Sequence, residues 1–563
     1  MPSRALSIFH EILYNAPENR NDKPEPAIHQ QKLERDDLMR KNGVMLHITS
    51  LPSPYGVGTM GYTARQFVDQ LERNRQSIWQ ILPLNPTSYG DSPYASTSTF
   101  AGNPYLIDLD QLAFDGLLGW DEFQHEQWYT YPDRVDYGLL AEKRLPVLRK
   151  AAERFLEHPE ADYEQFKKEH QDWLDDYALF MAIKDSQDKK AWKEWPEEYK
   201  VYDPKKVPAW NREFEHETEL YKVIQYLFFK QWHALKKYAN DKGIEILGDI
   251  PIYVAMDSAD AWSHPHLFLM DEESNPTFVA AIPPDAFSAD GQLWGNPVYD
   301  WKSHKKGDYK WWINRMKRMS DLYDIVRIDH FRGFESFYAV KADAKDAKEG
   351  KWMKGPGADL FKAITRKLGK LNIVAEDLGI ITPEVQKMLE EVNYPGMRVM
   401  EFGLRANTVD GQNHLPLSYP EHCVAYTGTH DNDTIYGWFE TLSAEDQEFV
   451  REYLDTWDAN NINWRMFTML LSSAAETTIV LAQDLLKLGS DSRMNRPGEM
   501  GSNWQWRLLP EQLDEDTMSH LGYLTRVYRR SPDQWIIEKD EDDESKKEKN
   551  KTQAGAVKTG KKN

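Results

Sequence analysis

Cysteine occurs once in the 563 residues, as Cys423. No intramolecular disulfide can form, and so large a chain without paired cysteines is expected in a reducing compartment. No apolar run approaches the roughly 18 residues of a membrane span. Near the beginning, Ser7 to Leu13 is too short and too polar for a signal-peptide core. A cytoplasmic location with no membrane partner is therefore expected. Positive charge is also scarce: 69 Lys+Arg against 91 Asp+Glu leave a formal net charge of −22. That balance argues against nucleic acid, which requires a basic stripe to displace counterions from phosphates, and equally against an anionic membrane surface. No internal repeat of fixed period is visible.

Aromatic residues, by contrast, are plentiful: 20 Trp, 28 Tyr and 22 Phe. They exceed the usual demand of a core, and flat aromatic faces suit sugar rings, although any single Trp is more readily explained by packing. Residues 1–36 mix charge with prolines and read as an N-terminal arm. Residues 538–563 run from acidic to Lys-rich with almost no large apolar side chain, so a disordered charged tail is expected there. Between the ends, across 37–537, eight short apolar runs show little polar alternation, as strands covered on both faces do. They are Val44–Ile48, Ser77–Leu82, Ile244–Val254, Asp324–Asp329, Asn372–Glu376, Met397–Phe402, Cys423–Thr427 and Thr478–Gln483. Helix-period segments separate several of them, at Ala64–Asn74, Leu220–Ala239, Tyr309–Leu322, Leu360–Leu371 and Glu384–Val392. Eight strands alternating with helices predict an α/β fold, a (β/α)8 TIM barrel with large, mostly helical insertions. The long gap between the second and third runs predicts an inserted helical subdomain around 110–215.

In such a barrel the chemistry sits at the C-terminal ends of the strands, so an acidic residue closing an apolar run is informative. Four runs end this way, with Asp249, Asp329, Glu376 and, after the seventh, Asp431. Arg327 and Asp329 are two apart and share a strand face, so a guanidinium beside the carboxylate would hold Asp329 ionised as a nucleophile is. Glu376 follows Val374 and Ala375, and a drier setting would raise its pKa, as a general acid requires. Two carboxyls about 5–5.5 Å apart make a retaining glycosidase-type pair. The same three side chains could equally form an ion-pair network closing the barrel top, and spacing alone leaves both readings open.

The segments Ser92-Pro93-Tyr94-Ala95-Ser96 and Phe100-Ala101-Gly102-Asn103-Pro104 resemble those of the 4-α-glucanotransferases, the amylomaltase or disproportionating-enzyme family of the α-amylase clan. So do Gly248-Asp249-Ile250-Pro251-Ile252-Tyr253-Val254, Pro283-Pro284-Asp285, Phe287-Ser288 and Gly291-Gln292-Leu293-Trp294-Gly295-Asn296-Pro297. The likeness continues through Arg327 to Phe334, Ala375 to Gly379, Gly428 to Thr434, Asn495 to Gly498 and Asn503-Trp504. It runs in the family's order from about residue 43 to 507.

The resemblance implies Asp329 as nucleophile, Glu376 as acid/base and Asp431 as third carboxylate, with Tyr94, Asp249, Arg327, His330 and His430 around the sugar at the cleavage point. Trp294 is a candidate sugar platform in a Gly/Pro-bounded loop, and Asn296 a substrate-binding residue. His47 is expected to hydrogen-bond at the rim, and Met397, Met400 and Met466 to Met469 to be core. Two departures, Ala95 where relatives often carry Gln and Glu499-Met500-Gly501-Ser502 before Asn503-Trp504, bear on acceptor or chain-length preference. The expected reaction is transfer of α-1,4-glucan segments between malto-oligosaccharides with retention, without cofactor or metal. His430-Asp431-Asn432-Asp433 could be read as a metal cluster, but no second ligand motif at helical spacing supports it. The alternatives are an α-1,4-glucan hydrolase and a non-catalytic glucan-binding protein. The sequence does not set the oligomeric state.

Overall fold

The computed structural model describes residues 40–88, 90–284, 290–406, 411–499 and 501–531. The expected arm and tail, and with them Asp285, Phe287, Ser288 and Met500 of the motifs, lie outside the described residues. Twelve strands follow one another among the described residues. They are β1 (Lys41–Met45), β2 (Ile78–Gln80), β3 (Glu245–Ile250), β4 (Phe278–Ile282), β5 (Gln292–Pro297), β6 (Ile325–Ile328), β7 (Ser336–Lys341), β8 (Gly350–Lys354), β9 (Ile373–Ala375), β10 (Gly396–Val399), β11 (Cys423–Tyr426) and β12 (Thr477–Leu481).

Eight of them form one sheet in the order β10-β11-β12-β1-β2-β3-β6-β9, every neighbouring pair parallel. Each overlaps one of the eight runs anticipated from the sequence: five lie within their runs, β10 and β12 begin one residue earlier, and β1 begins three residues earlier, at Lys41 instead of Val44. The two ends meet where Ala375 N donates to Pro395 O at 2.9 Å and Met397 N donates to Asp377 Oδ1 at 2.6 Å. A (β/α)8 barrel results.

Period-2 alternation sorts each strand between an inner and an outer face. Met45, Ile78, Leu247, Val374, Val424 and Ile479 pack with one another inside the barrel. Their neighbours Val44, Trp79, Ile246 and Val480 belong to the larger core shared with the helices. Two residues further along three strands, the inward face turns polar: Ile78 gives way to Gln80, Leu247 to Asp249 and Ile325 to Arg327. The barrel is thus apolar at its base and ionisable near its C-terminal rim.

The predicted helices appear at Tyr62–Arg73, Glu215–Asp241, Lys310–Leu322, Ala358–Leu368 and Pro383–Val392. Between β2 and β3 lie further helices at Tyr137–Glu157, Tyr163–Glu169, Gln171–Ser186 and Val207–Glu213, whose apolar side chains join the same core. The 27-residue helix Glu215–Asp241 does more than pack. Gln225, wholly buried, exchanges two hydrogen bonds with the Gly102 backbone at 2.7 and 2.9 Å, and Gln231 does the same for Asp108 at 2.7 and 3.2 Å. Each amide satisfies both backbone groups of a buried loop residue that no strand reaches. A Cβ on Gly102 would sit 2.1 Å from the Phe228 ring, so only glycine lets the loop approach this helix.

A second, antiparallel sheet in the order β5-β4-β7-β8 was not anticipated. It corrects the placement of Trp294, which lies on strand β5 rather than in a loop. The reason is that its strands are short and compositionally mixed: β5 contains Gly295 and ends in Pro297, β8 reads Gly-Lys-Trp-Met-Lys, and the β4–β5 ladder is broken by an irregularity between Val279 and Ala281. Glycine, proline and charge are the signals that argue against a strand.

Candidate active site

Arg327 is the hub of the barrel mouth. Its strand β6 lies between β3 and β9, with Arg327 opposite Asp249 on one side and Val374 on the other. The guanidinium is 3% exposed and pairs with Asp249 Oδ2; its second terminal nitrogen donates to Asp329 Oδ1 at 2.9 Å. Burial alone would weaken its hold on the proton, but Asp249 and Asp329 outweigh burial and keep Arg327 firmly protonated. Nε donates to Met397 Sδ at 3.4 Å, so Met397 braces this arginine as well as filling the core. Asp249 is fully buried. Desolvation pushes its carboxyl up, against the pull of Arg327.

Glu376 stands outside that ion-pair network. It directly follows the three-residue strand β9, and its carboxyl accepts from two backbone N–H groups, His330 at 2.8 Å and Leu378 at 2.7 Å. These fix its orientation. Burial, with the nearby Asp329 charge, raises its pKa to about 8, although Arg327 and the two N–H groups oppose the shift. His330, immediately after Asp329, adopts φ 49°, a left-handed conformation that aims its N–H back at Glu376. The turn after Asp329 therefore ties the two carboxyl groups together. A Cβ on Gly333 would come within 2.7 Å of Ile252 and 3.1 Å of the His330 ring, so this glycine leaves room for the imidazole. Burial lowers the His330 pKa to about 4, so the ring is neutral at neutral pH.

The remaining predicted residues complete the mouth. Tyr94 donates from its hydroxyl to Asp249 Oδ2 at 2.8 Å and stacks on His430, with centroids 5.3 Å apart and planes 14° apart. Trp504 tilts against both rings. Asp431, partly accessible, accepts from Asn495 Nδ2 at 2.6 Å and lies 3.4 Å from His430 Nε2. Trp294 sits edge-to-face on His330 at 5.0 Å and is 38% exposed. Asn296 donates from Nδ2 to Val254 O at 2.9 Å, fastening β5 to the segment after β3. His47 accepts from Leu82 N at 3.2 Å, and burial lowers its pKa to about 3. Met397, Met400 and Met466 are buried, whereas Met469 is only partly so.

The acidic run after β11 does not converge. Asn432 Oδ1 accepts from Thr429 N and Oγ1, both at 2.9 Å. Asp433 accepts from Ser490 Oγ at 2.7 Å and Thr434 N at 2.8 Å. Asp431 points instead at Asn495. Among the described residues, no three His, Cys, Asp or Glu side chains are grouped to hold a metal ion. Beneath the loop lie two acids that sequence reasoning missed. Glu401 is 2% exposed, and burial lifts its pKa well above the carboxylate range. Asp484, fully buried and raised to about 7, accepts from Ile435 N at 2.8 Å and Thr427 Oγ1 at 3.2 Å. The one sequence signal for Asp484 was an acidic residue soon after the eighth apolar run. Asn495 stood within a recognised motif but carried no assigned role.

A (β/α)8 barrel with paired carboxyl groups and aromatic faces at its C-terminal rim belongs to the class of glucan-active barrel enzymes. Comparison narrows the class. A family model described as 4-alpha-glucanotransferase matches residues 46–512. A 4-alpha-glucanotransferase of Clostridium butyricum is 44% identical over 487 residues, covering 86% of this chain and 100% of the relative. One of Synechocystis is 45% identical, covering 87% and 98%. The solved amylomaltase from Streptococcus agalactiae, in complex with acarbose, superposes with a TM-score of 0.85 at 43% identity over 87% of this chain and 100% of that one. The chain belongs to the 4-alpha-glucanotransferase family.

Proposed function

We propose that the 4-alpha-glucanotransferase activity of this chain runs by double displacement between Asp329 and Glu376 on α-1,4-glucans. Glu376 donates its proton to the departing glycosidic oxygen while Asp329 Oδ attacks the anomeric carbon, breaking the C1–O bond and forming a glucosyl ester. The released portion leaves with Glu376's proton on its new 4-hydroxyl. Glu376, now a base, takes the proton from the 4-hydroxyl of an incoming glucan, whose oxygen displaces Asp329. Two inversions retain the α configuration. Arg327 orients Asp329, Asp431 accepts from ring hydroxyls in a hold that tightens as the ring flattens, and Tyr94, His430 and Trp294 supply faces and edges for the sugar.

The observation that carries this reading is the contrast between the two carboxyls. One is clamped by a guanidinium, while the other keeps its proton to about pH 8 on two backbone N–H groups. Incubation with maltotriose tests the reaction: glucose together with longer oligomers supports transfer, whereas maltose and glucose alone would mean hydrolysis. A pH profile tests the assignment. Glu376 is competent below its pKa, so the rate is expected to hold up to about pH 8 and then fall about tenfold per unit. With an α-glucosyl fluoride donor, formation of the ester should lose that alkaline limb, because fluoride departs without a proton.

Residues 37–537 make up the proposed catalytic unit, with 110–215 as its insertion. Among the described residues no helix is long and apolar enough to cross a membrane. The single cysteine, buried and unpaired, supports a cytoplasmic location.

A further inference from the structure

Behind the segment that carries Tyr94 lies a cavity of about 550 Å³, lined by none of the residues assigned above to the glucan site. Its volume is within the range of about 300–1,000 Å³ typical of small-molecule sites. It is walled by the helices Gln171–Ser186 and Lys310–Leu322 and by the short helix Ala259–Ser263, outside the barrel sheet. Its surface combines aromatic faces from Phe100, Trp173 and Trp311 with carboxyl groups from Asp172, Asp176 and Asp260. Two buried polar groups of the lining residues lack a full hydrogen bond within the protein. One is Trp173 Nε1; the other is the His304 ring, for which Leu267 is the one backbone group near enough to act on it. Buried polar groups without partners are uncommon in native structures and call for an explanation.

The charges select the ligand class. Arg315 lies over the Trp311 ring at 5.6 Å and Arg318 over the Trp173 ring at 5.3 Å. Each indole already has a buried guanidinium beside it, so a second cation on either is repelled. Three carboxyl groups repel an anion, and the buried Arg315 and Arg318 with the exposed Lys306 and Lys310 offset them, so the cavity favours neither sign of charge. Burial lowers His304 to about 4, so its ring adds no charge at neutral pH. A neutral molecule remains, with apolar C–H faces for the rings and hydroxyls for the acids, Ser303 and Asn314. We propose that this cavity is a second saccharide site, taking one or two pyranose rings of glucose or maltose.

The site is wired to the reaction centre. Ala259 N donates to Thr97 O at 2.8 Å, Asp260 Oδ2 accepts from Thr99 N at 2.8 Å, and Ser98 itself lines the cavity. A sugar there presses on the same short segment from which Tyr94 reaches Asp249. The binding proposal holds whichever side chains perform the transfer.

Equilibrium dialysis of radiolabelled glucose against the full chain tests it, since glucose alone has no interglucosidic bond to transfer. Asn314→Trp fills the cavity, and Asp172→Trp blocks it from an exposed position. Each is expected to lower saturating glucose by one equivalent per chain while maltotriose disproportionation stays within about threefold of the parent. Retained disproportionation reports folding and leaves the catalytic reading untouched. Unchanged stoichiometry in active variants would overturn the proposal. So would wild-type crystals soaked to saturation with glucose that show no sugar density in the cavity, a measurement that stands even if a variant fails to fold.

Discussion

Asp329→Asn is expected to lower glucan transfer by at least about 10⁴-fold, because the amide keeps the shape of the side chain and loses the nucleophile. The amide oxygen can still accept from Arg327, as Oδ1 does now at 2.9 Å, so the rim keeps its geometry and maltotriose should still bind. Steady-state kinetics combined with calorimetric binding separates the two effects. Full activity would remove Asp329 from the covalent step. A loss of folding instead of activity would show that the Arg327–Asp249–Asp329 network chiefly closes the barrel top, the reading that spacing alone had left open.

The companion result concerns Glu376→Gln. On ordinary glucans, whose leaving oxygen needs a proton, a loss of about 10²–10⁴-fold is expected. An α-glucosyl fluoride should still react, since fluoride departs unprotonated, and the ester should then accumulate because no base activates the acceptor. Intact-protein mass spectrometry followed by peptide mapping reads the outcome. A glucosyl mass on Asp329 supports both roles at once, whereas wild-type turnover of maltotriose would place the acid/base elsewhere. Gln can receive from only one of the two N–H groups through its oxygen. A modest fall in stability is therefore compatible with the assignment, and the adduct decides it.

The eight barrel strands were legible because burial on both faces leaves a plain chemical trace, an apolar run such as Thr477–Leu481 in which every residue is covered. The acids that end those runs were legible for the converse reason: Asp249, Asp329 and Glu376 interrupt surroundings that would otherwise exclude charge. What stayed hidden depends on partners distant in the chain. Strand β8 has exposed lysines and pairs with β7 alone, so its hydropathy resembles that of a loop. Arg327 was read as the partner of Asp329 because they are two residues apart. That it also clasps Asp249, on a strand 78 positions earlier, and rests on Met397 required the sheet order. The high proton affinity of Glu401 and Asp484 likewise arises from burial, which the sequence around Glu401 does not announce and which the position of Asp484 after an apolar run only hints at.

The position of β1 has a consequence for synthesis. One side of the strand pairs with β2, complete by residue 80, but the other pairs with β12, Lys41 opposite Thr477 and Met45 opposite Leu481. Buried Asn42 also receives a hydrogen bond from Thr478 at 2.7 Å. A growing chain therefore exposes one edge of its first barrel strand until almost the entire catalytic unit has left the ribosome. An open edge of that kind can recruit other strands, and contacts so far apart in sequence form slowly. Barrel closure at this seam must wait for β12 to emerge, and nascent chains stalled before β12 are the form of this protein most exposed to chaperone capture.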